Sequence, residues 1–104
     1  MKKIYIYRYR NIITNHSYIG KTNNIERRKR EHISAAYNPN NGYYNRMWAK
    51  KIREYGIENF EFSVLEITDE EHFAEREQYW IAYYNTFEGA GYNSTSGGEN
   101  CRNT

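Results

Sequence analysis

The stretch from residue 18 to residue 32 constrains the fold of this chain most strongly. It reads Tyr-Ile-Gly-Lys-Thr-Asn-Asn-Ile-Glu-Arg-Arg-Lys-Arg-Glu-His. Ser17 to Ile19 predicts the end of a strand, Gly20 predicts a turn, and the polar run Thr22 to Asn24 is typical of a helix N-cap. We expect the helix to continue to about Tyr37. The stretch therefore predicts a strand, a turn and a helix in direct succession.

One face of this predicted helix carries both apolar and ionisable side chains. At about 100° per residue, Ile25, Arg28, His32 and Ala36 fall within one narrow sector. Arginine and histidine seldom point toward a core without a partner. Two interpretations stay open at this point. Either Arg28 extends past the edge of an ordinary core with His32 hydrogen-bonded beneath it, or the two residues belong to a functional site.

The composition predicts one small intracellular domain. A chain of 104 residues is long enough for a single modest core. Twelve tyrosines, four phenylalanines and two tryptophans indicate that this core is rich in aromatic rings. The single cysteine, Cys101, allows no intrachain disulfide and no cysteine metal cluster, which favours a reducing, cytoplasmic location. We expect no membrane association, because no segment approaches the length of an apolar span.

The formal net charge of +2 conceals a strong asymmetry between the two halves of the chain. Residues 1–56 contain thirteen Lys and Arg against three Glu, a balance of +10. Residues 57–104 contain two Arg against ten acidic residues, a balance of −8. The first half is therefore a candidate phosphate-binding surface, since clustered cations neutralise backbone phosphates. The alternative is that the halves pack together and their charges cancel.

The N-terminal residues predict a strand that pairs with the strand ending at Ile19. Residues 3–10 alternate strictly between two faces. One face carries Ile4, Ile6 and Arg8, and the other carries Tyr5, Tyr7 and Tyr9. A turn near Asn15 returns the chain, so the hairpin places Tyr7 and Tyr18 on one sheet. Two tyrosines on adjacent strands most often pack in a core or at its rim.

Downstream patterns predict two more helices and a third strand. After a loop at residues 38–42, a second helix carries an apolar stripe and ends at Gly56. The stripe consists of Tyr44, Trp48, Ile52 and Tyr55. We expect the third strand at Phe60 to Ile67. The sequence Thr68-Asp69-Glu70-Glu71 fits a capping box, which predicts a third helix from there to about Asn85.

Glu77 lies in the middle of the apolar stripe of the third predicted helix. The other members of the stripe are Phe73, Trp80, Ile81 and Tyr84. A carboxylate in such a position is costly unless it is paired or binds a metal ion. The alternatives are therefore a metal ligand, or a buried salt bridge to Arg28 or another cation.

In this order, the motifs resemble those of the GIY-YIG nucleases over essentially the whole chain. Tyr5-Ile6-Tyr7 stands where that family has Gly-Ile-Tyr, with Tyr5 in place of the glycine. Tyr18-Ile19-Gly20 matches the second signature. Arg28 and His32 stand at the positions of the family's catalytic arginine and of the His or Tyr that follows it.

Later positions extend the resemblance. Glu77 and Asn93 match the family's metal-binding glutamate and its late asparagine. The segments Tyr55 to Phe60 and Gly91 to Gly98 are most similar to the homing branch of the family, which phages and introns encode. The resemblance therefore also fits a protein encoded by a phage or a mobile element.

The resemblance implies an α+β fold in which a three-stranded, mostly antiparallel sheet is flanked by helices. It further implies an endonuclease that hydrolyses DNA phosphodiester bonds with one divalent cation, Mg²⁺ or Mn²⁺. The implied catalytic residues are Tyr7, Tyr18, Arg28, His32 and Glu77, with Glu77 as the metal ligand. Tyr7 would take the proton from the attacking water. The metal ion, Arg28 and Lys21 would favour its ionised form and lower its pKa toward the working range. Gly20, Lys21 and Asn93 would support the site.

DNA is the partner that the resemblance implies. The candidate contacts to its phosphates are Lys21, Arg28, Lys29, Arg30, Lys50 and Lys51. We expect the domain to cover residues 1–97, with residues 98–104 as a tail or the start of a linker. Two other functions stay open, namely a nucleic-acid-binding module that no longer cleaves and an aromatic-rich protein-interaction domain. The target site and the oligomeric state do not follow from the sequence.

Overall fold

The computed structural model describes residues 3–87, 91–94 and 97, and in this part of the chain three α-helices flank one antiparallel sheet. The strands are β1 (Lys3–Asn11), β2 (Ser17–Thr22) and β3 (Phe60–Asp69). The helices are α1 (Ile25–Tyr37), α2 (Met47–Tyr55) and α3 (Phe73–Tyr84). A short 3-10 helix, Ile57–Asn59, leads from α2 into β3. The predicted α+β fold class is confirmed.

β1 is the central strand of the sheet, whose order is β2-β1-β3. In the register with β2, Tyr7 lies opposite Gly20 and Tyr9 lies opposite Tyr18, so the predicted hairpin is confirmed. The register with β3 shifts between Ile6 and Tyr7. An irregularity of this kind bends and twists a strand locally. It falls at the tyrosine that the sequence singles out.

Helices cover both faces of the sheet. On one face, Ile81 of α3 packs against Ile6 and Ile19. On the other face, α1 and α2 contribute to a second core cluster. This cluster consists of Ala35, Ala36, Trp48, Ala49, Ile52 and Tyr92. The tyrosine face of β1 points toward α1, because Tyr7 contacts His32.

α1 and α2 end where local signals predict. Asn24 is the N-cap of α1, and its side chain accepts a hydrogen bond from the backbone N–H of Arg27 at 3.0 Å. α2 ends at Gly56, whose φ of 89° lies in the region that favours glycine. The backbone N–H of Gly56 donates to the carbonyl of Ile52 at 2.7 Å. The predicted ends of α1 at Tyr37 and of α3 near residue 85 are also confirmed.

The predicted start of the third helix is wrong. Thr68 and Asp69 still belong to β3, and α3 begins at Phe73. The Oδ1 atom of Asp69 accepts hydrogen bonds from the backbone N–H groups of Glu71 and His72, at 3.0 and 2.9 Å. The aspartate therefore closes a turn, which is the other common use of such a side chain ahead of a helix.

Two further local predictions need correction. β2 continues to Thr22, so Gly20 lies within a strand and not in a turn. Tyr44 lies ahead of α2, where the Arg53 guanidinium stands 3.7 Å from its ring centroid. Arg53 also donates hydrogen bonds to the carbonyls of Ala36 and Tyr44, both at 2.9 Å. It thereby ties α2 to the end of α1 and to the loop between them.

None of the helices in the described part of the chain is long and apolar enough to span a membrane. Cys101 and the expected tail at residues 98–104 lie outside the described residues. The boundary at residue 97 therefore stays a prediction.

Candidate active site

Three of the candidate catalytic side chains meet between the sheet and α1. The hydroxyl of Tyr7 lies 2.6 Å from Nε2 of His32, and Nε of Arg28 donates a hydrogen bond to the same hydroxyl at 3.0 Å. Tyr7 is 0% exposed and His32 is 1% exposed. Arg28 is half-buried and also donates to Glu31 at 3.0 Å. The hydroxyl of Tyr7 is therefore the point at which the cluster converges.

Gly20 leaves the space that the Tyr7 ring occupies. A Cβ atom at Gly20 would lie 2.4 Å from both Cζ and Oη of Tyr7, and 2.9 Å from a ring carbon of Tyr18. Protein interiors are close-packed, so an added methyl group at such distances must displace a ring. The glycine of the second signature therefore has a packing role within the cluster.

His32 lies among four aromatic rings, those of Tyr7, Tyr9, Tyr18 and Trp48. Their centroids are 4.3 to 5.6 Å from the imidazole centroid, in edge-on arrangements. Burial, assisted by the charge of Arg28, lowers the pKa of His32 to about 3. The imidazole is therefore neutral at neutral pH. Its Nδ1 atom is buried and has no hydrogen-bond partner among the described residues.

Burial also controls the protonation of the neighbouring tyrosines. It raises the pKa of Tyr7 well above its usual value, Tyr18 adds to this rise, and Arg28 opposes it. Burial likewise raises the pKa of Tyr18 and raises that of Tyr9 to about 12. For the protein alone, Arg28 favours an ionised Tyr7 as expected, but the expected lowering of the Tyr7 pKa toward the neutral range is wrong, because desolvation outweighs the guanidinium. Burial disfavours the charge of Arg28 itself, but Tyr7 and Tyr18 raise its pKa, and it stays cationic.

Glu77 of α3 pairs with Lys21, which lies on the edge strand β2. Nζ of Lys21 donates a hydrogen bond to Oε1 of Glu77 at 3.2 Å. Glu77 is 5% exposed. A buried salt bridge is one of the two alternatives that the sequence leaves open for this carboxylate, and Lys21 supplies the cation of such a bridge. Burial and Arg28 have the largest effects on the pKa of Tyr18. Beside them, the charge of Glu77 raises this pKa and the charge of Lys21 lowers it.

Asn93 fastens the C-terminal segment to β2. Its Oδ1 atom accepts a hydrogen bond from the N–H of Ile19 at 2.8 Å, and its Nδ2 atom donates to the carbonyl of Ile19 at 2.9 Å. The hydroxyl of Thr86 donates to the same Oδ1 at 2.7 Å. β2 is an edge strand, so these bonds satisfy backbone groups on its open side. Asn93 therefore positions the strand segment that carries Tyr18 and Gly20.

A groove of about 710 Å³ opens beside the cluster. Lys21, Arg27 and Arg28 line it together with Glu31, and the segment Asn41 to Tyr43 supplies a further part of the lining. Glu31 pairs with both arginines, at 3.5 and 3.0 Å. Three cations against one carboxylate among these residues favour an anionic occupant. The volume falls within the range of about 300–1,000 Å³ that is usual for small-molecule sites.

The other candidate phosphate contacts lie on α1 and α2. Lys29 stands 4.5 Å above the ring of Phe62, and Arg30 and Lys50 are exposed. Lys51 pairs with a glutamate of its own helix at 3.1 Å and lines a second cavity of about 360 Å³. Among the six predicted contacts, those that line the larger groove are Lys21 and Arg28.

The structure adds two residues that the sequence analysis missed. Phe62 of β3 stacks on Tyr7, with ring centroids 5.3 Å apart and planes at 27°. Alternation along β3 puts Phe60, Phe62 and Val64 on one face, but it does not reveal which ring Phe62 meets. Arg27 lines the groove although the helical period separates it from the face of Arg28 and His32. The helical period does not mark Arg27, because the groove is completed by Ile4 and the segment Asn41 to Tyr43, which are distant from it in the sequence.

The donor set fits a divalent ion that is shared with a substrate. Among the described residues, no group of three or more His, Cys, Asp and Glu side chains lies together. Mg²⁺ usually binds through one or two carboxylates, water molecules and phosphate oxygens, so it needs no such cage. Glu77 supplies one buried carboxylate. It does not itself line the groove that would receive the phosphate, but its partner Lys21 does, together with Arg28. The fold and this site together define an α+β domain with a candidate catalytic centre between its sheet and α1.

Comparison with known proteins identifies the family. The family model of the GIY-YIG catalytic domain matches residues 3–93, so the chain belongs to the GIY-YIG family. The solved catalytic domain of the homing endonuclease I-TevI is 25% identical, with a TM-score of 0.73, and the match covers 86% of this chain and 96% of that one. A Glu-to-Ala mutant of the catalytic domain of the intron endonuclease I-TevI is 26% identical, with the same TM-score and coverage of 90% and 95%. No curated protein matches the chain.

Proposed function

We propose that this protein is a divalent-metal-dependent endonuclease that hydrolyses phosphodiester bonds in DNA. Family membership supports this proposal, and both solved domains that resemble the chain belong to endonucleases. The observation that carries it is the contact of the Arg28 guanidinium with the Tyr7 hydroxyl beside a cationic groove. A guanidinium in that position binds a phosphate and stabilises the charge that develops on it during hydrolysis. We also propose that the protein acts inside the cell, on DNA that is present there.

In the proposed mechanism, Tyr7 receives a proton from the attacking water and passes its own proton to His32. Burial keeps Tyr7 protonated in the free protein. In this relay Tyr7 gains one proton as it gives up another, so it does not have to ionise first. The acceptor is Nε2 of the neutral imidazole, 2.6 Å from the hydroxyl. Burial is the larger cause of the low basicity of His32, and the charge of Arg28 is the smaller one. A phosphate bound to Arg28 would offset that charge. Tyr18, whose ring contacts the imidazole, orients this network.

Glu77 is the proposed ligand of the metal ion, Mg²⁺ or Mn²⁺, which would polarise the phosphate and stabilise the leaving 3′ oxygen. In the protein alone, Lys21 balances the buried charge of Glu77. Gly20 keeps the space for the Tyr7 ring, and Asn93 holds the strand beside it. These two residues support the site without touching the substrate.

Phosphate contacts along the DNA are proposed for the basic residues outside the cluster as well. They are Lys29, Arg30, Lys50 and Lys51, joined by Arg27 and Lys21 in the groove. Each such contact releases counterions from DNA, so the affinity should fall steeply with salt.

The proposal is tested by incubating supercoiled plasmid DNA with the protein and Mg²⁺, Mn²⁺ or EDTA. We expect nicked or linear DNA with the metal ions and intact plasmid with EDTA. Glu77→Gln keeps the size of the side chain but removes its charge, and it should bind DNA without cleaving it. The matched control is Glu75→Gln, which alters an exposed glutamate of the same helix and should cleave like the wild type.

Two outcomes would overturn the proposal. Cleavage at the wild-type rate by Glu77→Gln would contradict the role of that residue as a metal ligand. Salt-sensitive DNA binding by a wild-type protein that never cleaves would support a non-catalytic nucleic-acid-binding module instead.

A further inference from the structure

The groove beside the active site contains an exposed aromatic ring to which the mechanism assigns no role. Tyr43 lines the groove together with the cations Lys21, Arg27 and Arg28, and 47% of its surface is exposed. Proteins that bind single-stranded nucleic acid combine these two elements, cations that follow the phosphates and aromatic rings on which bases stack. The groove therefore has the composition of a site for a nucleotide, and not for a phosphate alone.

The backbone around Tyr43 is well fixed by hydrogen bonds. Its N–H donates to Oδ1 of Asn41 at 2.8 Å, and its carbonyl accepts from the N–H of Arg46 at 3.0 Å. The guanidinium of Arg46 lies 5.3 Å from the centroid of the Tyr43 ring, within the range of a cation–π interaction. These contacts restrict the Tyr43 residue, which lowers the conformational entropy that a stacking base would remove.

The backbone position before Tyr43 faces open space. A Cβ atom at Gly42, which also lines the groove, would meet no atom within 4 Å. The groove is therefore open where the chain passes Gly42.

We propose that the ring of Tyr43 stacks on an unpaired base of the substrate, so that the groove takes one unstacked nucleotide next to the phosphate that Arg28 binds. The inference rests on the proposed function and extends it, because it assigns a nucleotide-binding role to the segment Asn41 to Tyr43. Stacking tolerates every base, since every base has a π-face. The contact therefore provides a preference for unpaired DNA over duplex, but it reads no sequence.

The test compares two labelled strands of about ten nucleotides, one of thymidylate and one with the same phosphates but abasic sugars. Affinities are measured by fluorescence anisotropy with EDTA present. The wild type should bind the thymidylate strand about 5- to 150-fold more tightly than the abasic strand, as one stacked base predicts. Tyr43→Ala should lose this preference, whereas Tyr43→Phe should keep it.

Two further variants distinguish stacking at Tyr43 from general effects. Tyr83→Ala removes a tyrosine that is 63% exposed on α3 and should keep the preference for thymidylate. Gly42→Leu, whose added side chain meets open space at its Cβ, should fold normally and weaken binding of the thymidylate strand by filling the groove.

A Tyr43→Ala variant that prefers thymidylate as strongly as the wild type would overturn the inference. So would a wild type that binds both strands equally. Neither result would affect the proposed endonuclease function, which plasmid cleavage decides independently.

Discussion

Gly20→Ala tests the packing of the active site with the smallest possible change. The added Cβ would lie 2.4 Å from Cζ and Oη of Tyr7, whereas ordinary contacts begin at 3.4 Å. Tyr7 must therefore move by about 1 Å, or β2 must move away from it. Neither movement is easy, because Tyr7 is fully buried and Asn93 holds the neighbouring Ile19 by two hydrogen bonds.

The magnitude follows from these distances. Overpacking of a well-filled interior costs about 1–3 kcal/mol, so the free energy of unfolding should fall by that amount. The Tyr7 hydroxyl makes contacts of 2.6 Å with His32 and 3.0 Å with Arg28, and a displacement of about 1 Å would break at least one of them. A misplacement of that size at a catalytic group can cost about 10²-fold in rate.

The assays are urea unfolding and single-turnover plasmid cleavage at saturating DNA. Gly42→Ala is the matched control for stability, because its Cβ would meet nothing within 4 Å, and its free energy of unfolding should stay within about 0.5 kcal/mol of the wild type. The loss caused by Gly20→Ala should also shrink in a Tyr7→Ala background, since the clash is mainly with that ring. A Gly20→Ala protein with wild-type stability and wild-type cleavage rate would refute this reasoning.

Three further predictions concern pH and salt. The pKa of His32 is about 3 in the folded protein against 6.5 in the unfolded chain, so the unfolded state binds more protons between these values and stability should fall as pH decreases from 6.5. The free energy of unfolding should fall by at most about 5 kcal/mol over this range. Urea unfolding of His32→Phe should show a flatter dependence of that free energy on pH than the wild type. An unchanged slope against pH would contradict a neutral buried imidazole. Single-turnover cleavage should not rise with pH across the neutral range, because the relay uses a protonated Tyr7 and a neutral His32, and burial keeps both residues in these forms there. Tyr7→Phe should lose about 10²- to 10⁴-fold in rate while Tyr18→Phe keeps the wild-type pH profile, and a near-normal rate for Tyr7→Phe would exclude it from the proton transfer. Finally, single alanine substitutions at Lys29, Arg30, Lys50 or Lys51 should each lower the slope of log affinity against log salt by up to about 0.9; unchanged slopes would exclude these residues from phosphate contacts.

Features that depend on short-range signals could be predicted from the sequence. The alternation of residues 3–10 predicts both faces of β1, and the structure places Ile6 against α3 and Tyr7 against α1. The cap at Asn24 marks the start of α1, and the helical period identifies Arg28 and His32 as neighbours on one face. In each case, the information lies within a few residues of the feature.

Other features depend on contacts that no local pattern contains. The stripe on α3 shows that Glu77 points toward the core. Its partner Lys21, however, lies 56 residues away in the chain, so no local pattern reveals the pair. The groove lining at Tyr43 depends in the same way on how a loop folds back over α1. The prediction of where α3 starts fails for a different reason, because Asp69 suits a helix cap and a turn equally well. The raised pKa of Tyr7 follows from the depth of burial, which periodicity does not measure.

The central claim is that the Arg28–Tyr7–His32 cluster cleaves DNA. The most direct test compares Arg28→Ala with Arg30→Ala as its matched control. The two arginines lie on the same helix, but Arg28 donates a hydrogen bond to Tyr7 and Arg30 is exposed. Single-turnover cleavage at saturating DNA with Mg²⁺ separates turnover from binding. We expect Arg28→Ala to cleave at least about 10²-fold more slowly while it still binds DNA, and Arg30→Ala to lose affinity far more than rate. Wild-type turnover by Arg28→Ala at saturation would contradict the account.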